Sequence, residues 1–295
     1  MGGLYLGGKL VTPVIEKEVA KTKFGASVDT WIGDVDENGV LQKPRAVTHL
    51  DFTGVKEIAI EGLRYRFYNI TNIISIDFSS LESVGGYGLE RAFFNCIGIK
   101  NVDLSLLESV SDYGLNYAFF GCAGITNINL SSLKTIESYG LQYAFYNCSG
   151  IKNVDLSSLE SVSDYGLNYA FYGCVGITSV DLSSLRTIDS YGIQYTFNGC
   201  TEITNVDFSS LQSVGSNGMR YAFQGCSKLT KMSFPSLTSI RTNSFGSSAT
   251  NAAFRNCTAL TEIHFRADMQ ATIEAMSQYA NRFGAPATCT IYFDL

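Results

Sequence analysis

The sequence predicts an α/β solenoid: nine rungs of about 26 residues, a parallel sheet on one face, short helices on the other, and a cap at each end. Three observations predict it. A motif of apolar–Asp–apolar–Ser recurs around Asp51, Asp77, Asp103, Asn129, Asp155, Asp181, Asp207, Ser233 and His264. Its spacing is 26 residues seven times and then 31, the sequence signature of a stacked repeat. The residue before the cysteine column is only ever Gly or Asn (Asn69, Asn95, Gly121, Asn147, Gly173, Gly199, Gly225, Asn256), the two types that tolerate the left-handed backbone closing a helix. Finally, 45% of the residues are apolar, enough to line one continuous interior.

Residues 1–46 read as an N-terminal β-hairpin cap. Ser27–Val35 and Val40–Gln42 flank Asn38-Gly39, a hairpin signal, and Trp31 is expected to pack over the first rung. Asp34-Val35-Asp36-Glu37-Asn38-Gly39 also fits the first half of a calcium loop with glycine at the sixth place. The twelfth place holds Arg45 instead of a bidentate glutamate, so the hairpin is the better reading.

Residues 47–265 form the solenoid. In the third rung, Asn101-Val102-Asp103-Leu104 alternates polar and apolar like a half-buried strand. Leu107 and Val110 point inward along the connection. Leu115, Ala118, Phe119 and Cys122 then fall at i, i+3, i+4, i+7, which predicts a two-turn helix capped by Asp112. The equivalent capping positions are Ser138, Asp164 and Ser190. Residues 103–128 closely match 155–180, and 129–154 resemble 181–206, so a 52-residue pair of rungs has been duplicated. A five-residue insertion in Phe245–Asn251 offsets the last rung. A strand, a turn and a short helix per period describe a leucine-rich-repeat solenoid. Eight steps of roughly 4.8 Å give a sheet about 40 Å long. Residues 266–295 read as a C-terminal helix-plus-strand cap. The helix runs from Asp268 to Phe283, with Met269, Ile273, Met276, Ala280 and Phe283 on one face, and Cys289–Phe293 is the last strand.

Composition narrows the function. There are 21 basic and 27 acidic side chains and a net charge of -6, which argues against nucleic acid as a partner. No apolar run reaches 18 residues, so membrane insertion is not expected. The N-terminus lacks the basic-then-apolar build of a signal peptide. With two histidines, His49 and His264, at opposite ends of the repeat, and no nucleophile or nucleotide fingerprint, the sequence predicts no catalytic, metal or cofactor site.

Two columns of side chains are candidate binding surfaces. On the strand face stand Asn101 and Asp103, Asn127 and Asn129, Asn153 and Asp155, Ser179 and Asp181, Asn205 and Asp207. They read either as a solvated face, with Asn and Ser bridging neighbouring acids, or as a surface for sugar hydroxyls or peptide amides. On the helix face, Tyr113, Tyr117, Tyr139, Tyr143, Tyr165, Tyr169, Tyr191 and Tyr195 form an aromatic strip. The alternatives there are ring packing between rungs and contact with a protein or glycan. The cysteines Cys96, Cys122, Cys148, Cys174, Cys200, Cys226 and Cys257 share one column that holds Ile70 in the first rung, so they read as compact core groups and, with Cys289, as free thiols. Glu108, Lys134, Glu160 and Arg186 alternate in sign and fix register more than they stabilise.

The phrases AFFNC, AFFGC, AFYNC, AFYGC, TFNGC, AFQGC and AFRNC, recurring in register, resemble the BspA-like bacterial leucine-rich-repeat family over residues 47–265. The resemblance implies a curved, non-enzymatic binding scaffold on a bacterial surface or in host contact, with a protein or glycan as partner. Leu4-Tyr5-Leu6-Gly7-Gly8-Lys9-Leu10-Val11-Thr12-Pro13 is similar to the start of some prophage-encoded structural proteins, which implies a virion-associated recognition role as an alternative. A third reading is a glycan-acting hydrolase using the acidic column.

Overall fold

The computed structural model describes residues 49–294. The hairpin, Trp31 and the Asp34–Gly39 turn lie outside the described residues. The chain winds as a parallel β-solenoid of about nine turns, as the repeat predicts, but with few helices. Seven strands form the first sheet: His49–Asp51, Ser75–Asp77, Asn101–Asp103, Asn127–Asn129, Asn153–Asp155, Ser179–Asp181 and Asn205–Asp207. Neighbours pair in parallel with a 26-residue offset, as in Val102 opposite Ile128. The alternation expected for these strands is present, since Val102 is buried between exposed Asn101 and Asp103.

A second parallel sheet of eight two-residue strands runs beside the first, from Glu57–Ile58 to Ser239–Ile240. The sequence pattern marks this stretch only as an inward-pointing connection. Val110 is buried as expected, but Ser109–Val110 also pairs with the rungs on either side. A third sheet, Lys231–Phe234, Glu262–Phe265 and Thr290–Phe293, ends the described chain.

The short helices are not there, and this corrects the sequence reading. Between residues 111 and 122 the backbone alternates two kinds of hydrogen bond. Gly114, Asn116, Ala118 and Phe120 donate locally, three residues back, to Ser111, Tyr113, Leu115 and Tyr117. Tyr113, Leu115, Tyr117, Phe119 and Gly121 donate across to the next rung, to Ser138, Gly140, Gln142, Ala144 and Tyr146, at 2.8–3.1 Å. A helix would have spent every amide internally. Here half of them link rungs, and the chain can do this because every fourth residue is left-handed: Tyr113 (φ 58), Tyr117 (φ 54) and Gly121 (φ 71). Leu115, Ala118, Phe119 and Cys122 are nonetheless buried as the pattern required.

All eight positions of the Gly/Asn column have positive φ, as the sequence required. The alternation within that column has a packing cause. A Cβ on Gly121 would sit 2.2 Å from the side-chain oxygen of Asn95, and one on Gly173 equally close to that of Asn147. The asparagine of one rung therefore lies over the glycine of the next.

The core is a ladder of phenylalanines. Phe67, Phe93, Phe119, Phe145, Phe171, Phe197, Phe223 and Phe254 are fully buried, and successive ring centres lie 5.1–5.9 Å apart. At the C-terminal end the expected single helix is broken into three short pieces: Ala267–Met269, Gln270–Glu274 and Tyr279–Gly284. Asp268 does not cap it but pairs with Arg266 at 2.6 and 2.8 Å. Left-handed Arg282 and Phe283 (φ 50 and 53) turn the Phe283 ring into the core, 5.0 Å from Phe245. Burying that ring outweighs continuing a helix that has few neighbours of its own. Met269 and Ile273 are buried as the apolar face predicts, while Ala280 is exposed.

Candidate functional site

Both candidate columns line up on the solenoid. On the strand face Asn101, Asp103, Asn127, Asn129, Asn153, Asp155, Ser179, Asp181 and Asn205 are exposed, and Asp207 is half-buried. Each central residue ends its strand with a side-chain turn. The Oδ1 atoms of Asp103, Asn129, Asp155, Asp181 and Asp207 accept the amide of Ser105, Ser131, Ser157, Ser183 and Ser209, respectively, at 2.8–3.0 Å. Asn129 does this as well as the aspartates do, so the turn needs an acceptor and not a charge. The same bonds from Ser79, helped by Thr53, hold the Asp77 carboxyl below its ordinary value against a smaller opposing effect of burial.

The aromatic face is built from three stacked columns. In the first, Tyr87, Tyr113, Tyr139, Tyr165 and Tyr191 lie 4.7–4.8 Å apart and within 7° of parallel. In the second, Tyr117, Tyr143, Tyr169, Tyr195 and Tyr221 lie 4.2–4.7 Å apart. The third is Tyr68, Phe94, Phe120, Tyr146 and Tyr172, at 4.6–4.7 Å. All eight tyrosines of the predicted strip are half-buried. Their faces cover one another, and what solvent reaches is ring edge and hydroxyl. Burial first, and neighbouring phenols second, push the Tyr143 hydroxyl up to about 12 and raise that of Tyr169 further.

The left-handed backbone explains why these rings reach the surface. Tyr113 and Tyr117 project outward between buried Leu115, Ala118 and Phe119. Left-handed φ costs a non-glycine residue about 1–3 kcal/mol. Ring stacking contributes about 0.5–1.5 kcal/mol, and the inter-rung amide bond a similar amount, so the two together offset the strain. Where tyrosine is absent from the first column, Asn217 and Asn243 replace it at the C-terminal end (φ 56 and 61) and Glu61 at the N-terminal end (φ 56).

Between the first two tyrosine columns runs a ladder of amides that the sequence reading missed. Asn116 Nδ2 donates to Gln142 (3.0 Å), Gln142 Nε2 to Asn168 (2.9 Å), and Asn168 Nδ2 to Gln194 (3.1 Å). The signal was the alternation of Asn and Gln at 26-residue spacing. At its N-terminal end the ladder becomes ionic: Arg64 Nε lies 2.6 Å from buried Glu90. In the second column Arg91 stands where a tyrosine would. Its guanidinium sits 5.4 Å from the ring of Tyr65 and 4.6 Å from that of Tyr117, and donates to the Tyr65 hydroxyl. Tyr65, Tyr68, Arg91, Phe94, Tyr117 and Phe120 line a shallow groove there of about 370 Å³.

The cysteine column is core, and all eight cysteines are unpaired and buried. Each thiol in the column does more than fill space, because it donates to a phenylalanine carbonyl one rung back; Cys122 reaches Phe93 O at 3.0 Å and Cys148 reaches Phe119 O at 3.1 Å. Burial drives the Cys96 thiol up to about 12 and raises Cys122, Cys148, Cys174, Cys200 and Cys226 as well. Since the thiolate is the reactive form, a disulfide-exchange reagent is expected to label none of these thiols quickly in the folded chain, and all eight after unfolding without reductant. Rapid native labelling of two or more would contradict the buried ladder.

The remaining motifs stay apart. His49, in the first strand, lies 2.6 Å from Ser75 Oγ, whereas His264, in the last sheet, contacts Asp294 at 2.8 Å and Glu262 at 3.2 Å. In the charge column Lys134 pairs with Glu108 at 2.9 Å, and Lys56 with Glu82 at 2.6 Å. Among the described residues no helix is long and apolar enough to cross a membrane.

The sequence matches the model of the BspA type leucine rich repeat region, in six copies, over residues 61–191 and 115–251. No curated protein matches it. Among solved structures it is similar to a leucine-rich-repeat protein of T. pallidum, with 18% identity over 68% of this chain and 89% of that one, at a TM-score of 0.46. A leucine-rich-repeat protein from Bacteroides ovatus is 21% identical over 81% of this chain and 66% of that one, at a TM-score of 0.41. A leucine rich cell surface protein from Faecalibacterium prausnitzii is 13% identical over 88% of this chain and 80% of that one, at a TM-score of 0.31. With two overlapping matches that together span residues 61–251, the chain belongs to the BspA-type leucine-rich-repeat family.

Proposed function

We propose that the chain is a non-catalytic binding scaffold whose tyrosine face recognises a protein, in a bacterial surface or host-contact setting. One observation carries the choice of face. Three aromatic columns in register make a continuous strip of ring edges and hydroxyls, with guanidiniums of Arg64 and Arg91 over tyrosine rings at one end. Tyrosine and arginine are the residues that dominate protein interfaces. A sugar stacking flat on tyrosine needs an open ring face, and here each interior face is covered by a neighbour at 4.2–4.8 Å. That geometry favours a protein over a glycan. The bacterial setting rests on family membership.

The strand face is the second reading, favoured by the line of exposed Asn, Asp and Ser side chains from Asn101 to Asp181. Binding screens against glycans and against surface proteins separate the two. A protein ligand is expected whose affinity falls at least about thirtyfold when Tyr165 and Tyr169 are both changed to Ala, the size of one interface hot spot. Changing Asp103, Asp155 and Asp181 together to Ala should leave it unchanged. The reverse pattern, or a glycan ligand, would move the site to the strand face.

A further inference from the structure

We infer that the second tyrosine column is a site of oxidative cross-linking, in which one-electron oxidants join tyrosines of consecutive rungs. The inference is independent of any partner. Tyr169 and Tyr195 have ring centres 4.3 Å apart, and Tyr195 and Tyr221 have theirs 4.2 Å apart, the closest contacts in the tyrosine columns. The planes are inclined by 13° and 17°, so the rings are stacked but not locked flat. All three are half-buried, which leaves an edge open to a diffusing oxidant. Thiols would compete as reductants, but the described cysteines are all buried.

The chemistry balances with an external oxidant. Each of two neighbouring phenols gives up one electron to the oxidant and its hydroxyl proton to water. The two phenoxyl radicals couple at ring carbons next to the oxygens, forming one carbon–carbon bond. Tautomerisation then moves the displaced ring hydrogens to the oxygens and restores both hydroxyls. The net change is loss of two electrons and two protons per linked pair. Each link closes a loop between residues 26 apart, in a protein whose eight cysteines form no disulfide. A cross-link of that span limits the unfolded chain and so holds adjacent rungs together.

The test is brief illumination of the dilute full-length chain with tris(bipyridyl)ruthenium(II) and persulfate, followed by proteolysis and mass spectrometry. The expected result is monomeric chain carrying peptides linked with loss of two hydrogens, Tyr169 to Tyr195 and Tyr195 to Tyr221. Tyr195→Phe keeps the stacked ring but is not coupled, so both links should vanish. Tyr221→Phe, at the end of the column, should remove only the second link and serves if Tyr195→Phe fails to fold. Links formed mainly between chains, an absence of links in this column, or a link pattern unchanged by either variant would each overturn the inference.

Discussion

Replacing Phe145 by alanine is expected to destabilise the solenoid by ~3–5 kcal/mol, the range for deleting a large buried aromatic side chain. Phe145 is fully buried, and its ring lies 5.3 Å from both Phe119 and Phe171. The loss has two parts: the transfer free energy of the ring, and the cavity left between two rings held by their own rungs. The second part should be large because the backbone cannot close the gap. Phe119 donates its amide to Ala144, and Phe145 donates its own to Ala170, both at 2.8 Å, so neighbouring rungs hold the spacing. A solenoid rung touches only its neighbours, so the weak point should also split unfolding into two steps, one for each side. Urea titration followed by circular dichroism measures both effects. A loss under about 1 kcal/mol would mean that the ring ladder is not the main support of the stack.

The amide ladder gives the second large effect. Asn168→Leu is expected to cost ~2–5 kcal/mol, although leucine has the same branched skeleton of side-chain heavy atoms. Asn168 is only 3% exposed. Its loss strands a donor on Gln142, which is half-buried and can recover some water, and an acceptor on Gln194, which is buried and cannot. Asn116→Leu removes a single ladder bond at the end of the row and should cost roughly half as much. Equal losses at the two positions, measured by the same denaturation, would show that burial of the side chain and not the ladder sets the cost.

Much of the fold was legible because stacking imposes one demand on every rung. The 26-residue period, the inward positions and the left-handed Gly/Asn column all follow from it, and each is where the sequence placed it. The helices were misread for a reason that periodicity cannot remove. Leu115, Ala118, Phe119 and Cys122 would be buried in a helix and are equally buried in a run of turns, so spacing i, i+3, i+4, i+7 does not distinguish the two. The difference lies in where alternate amides go, which is a relation between rungs. One clue was present: Asn217 and Asn243, residues that accept left-handed φ, share a column with Tyr113 and Tyr139.

The candidate faces were legible as columns but not as chemistry. The sequence shows that Tyr143 and Tyr169 recur in register, yet only coordinates show that their faces are consumed by each other. From Asp77 to Asp207 the serine two positions on was visible at each rung, and the turn it forms with Asp103 or Asp155 could have been expected from that spacing.

The Asn/Gln alternation also sets the unit by which this molecule can change length. A short amide answers a long one along Asn116, Gln142, Asn168 and Gln194, and asparagine overlies glycine along Asn95, Gly121, Asn147 and Gly173. Excising one coil from that stretch would set two short arms, or two long ones, against each other. Excising two would restore the match at both seams. Along this stretch these two rows are marked in pairs of coils, so insertion or loss of 52 residues keeps both in step.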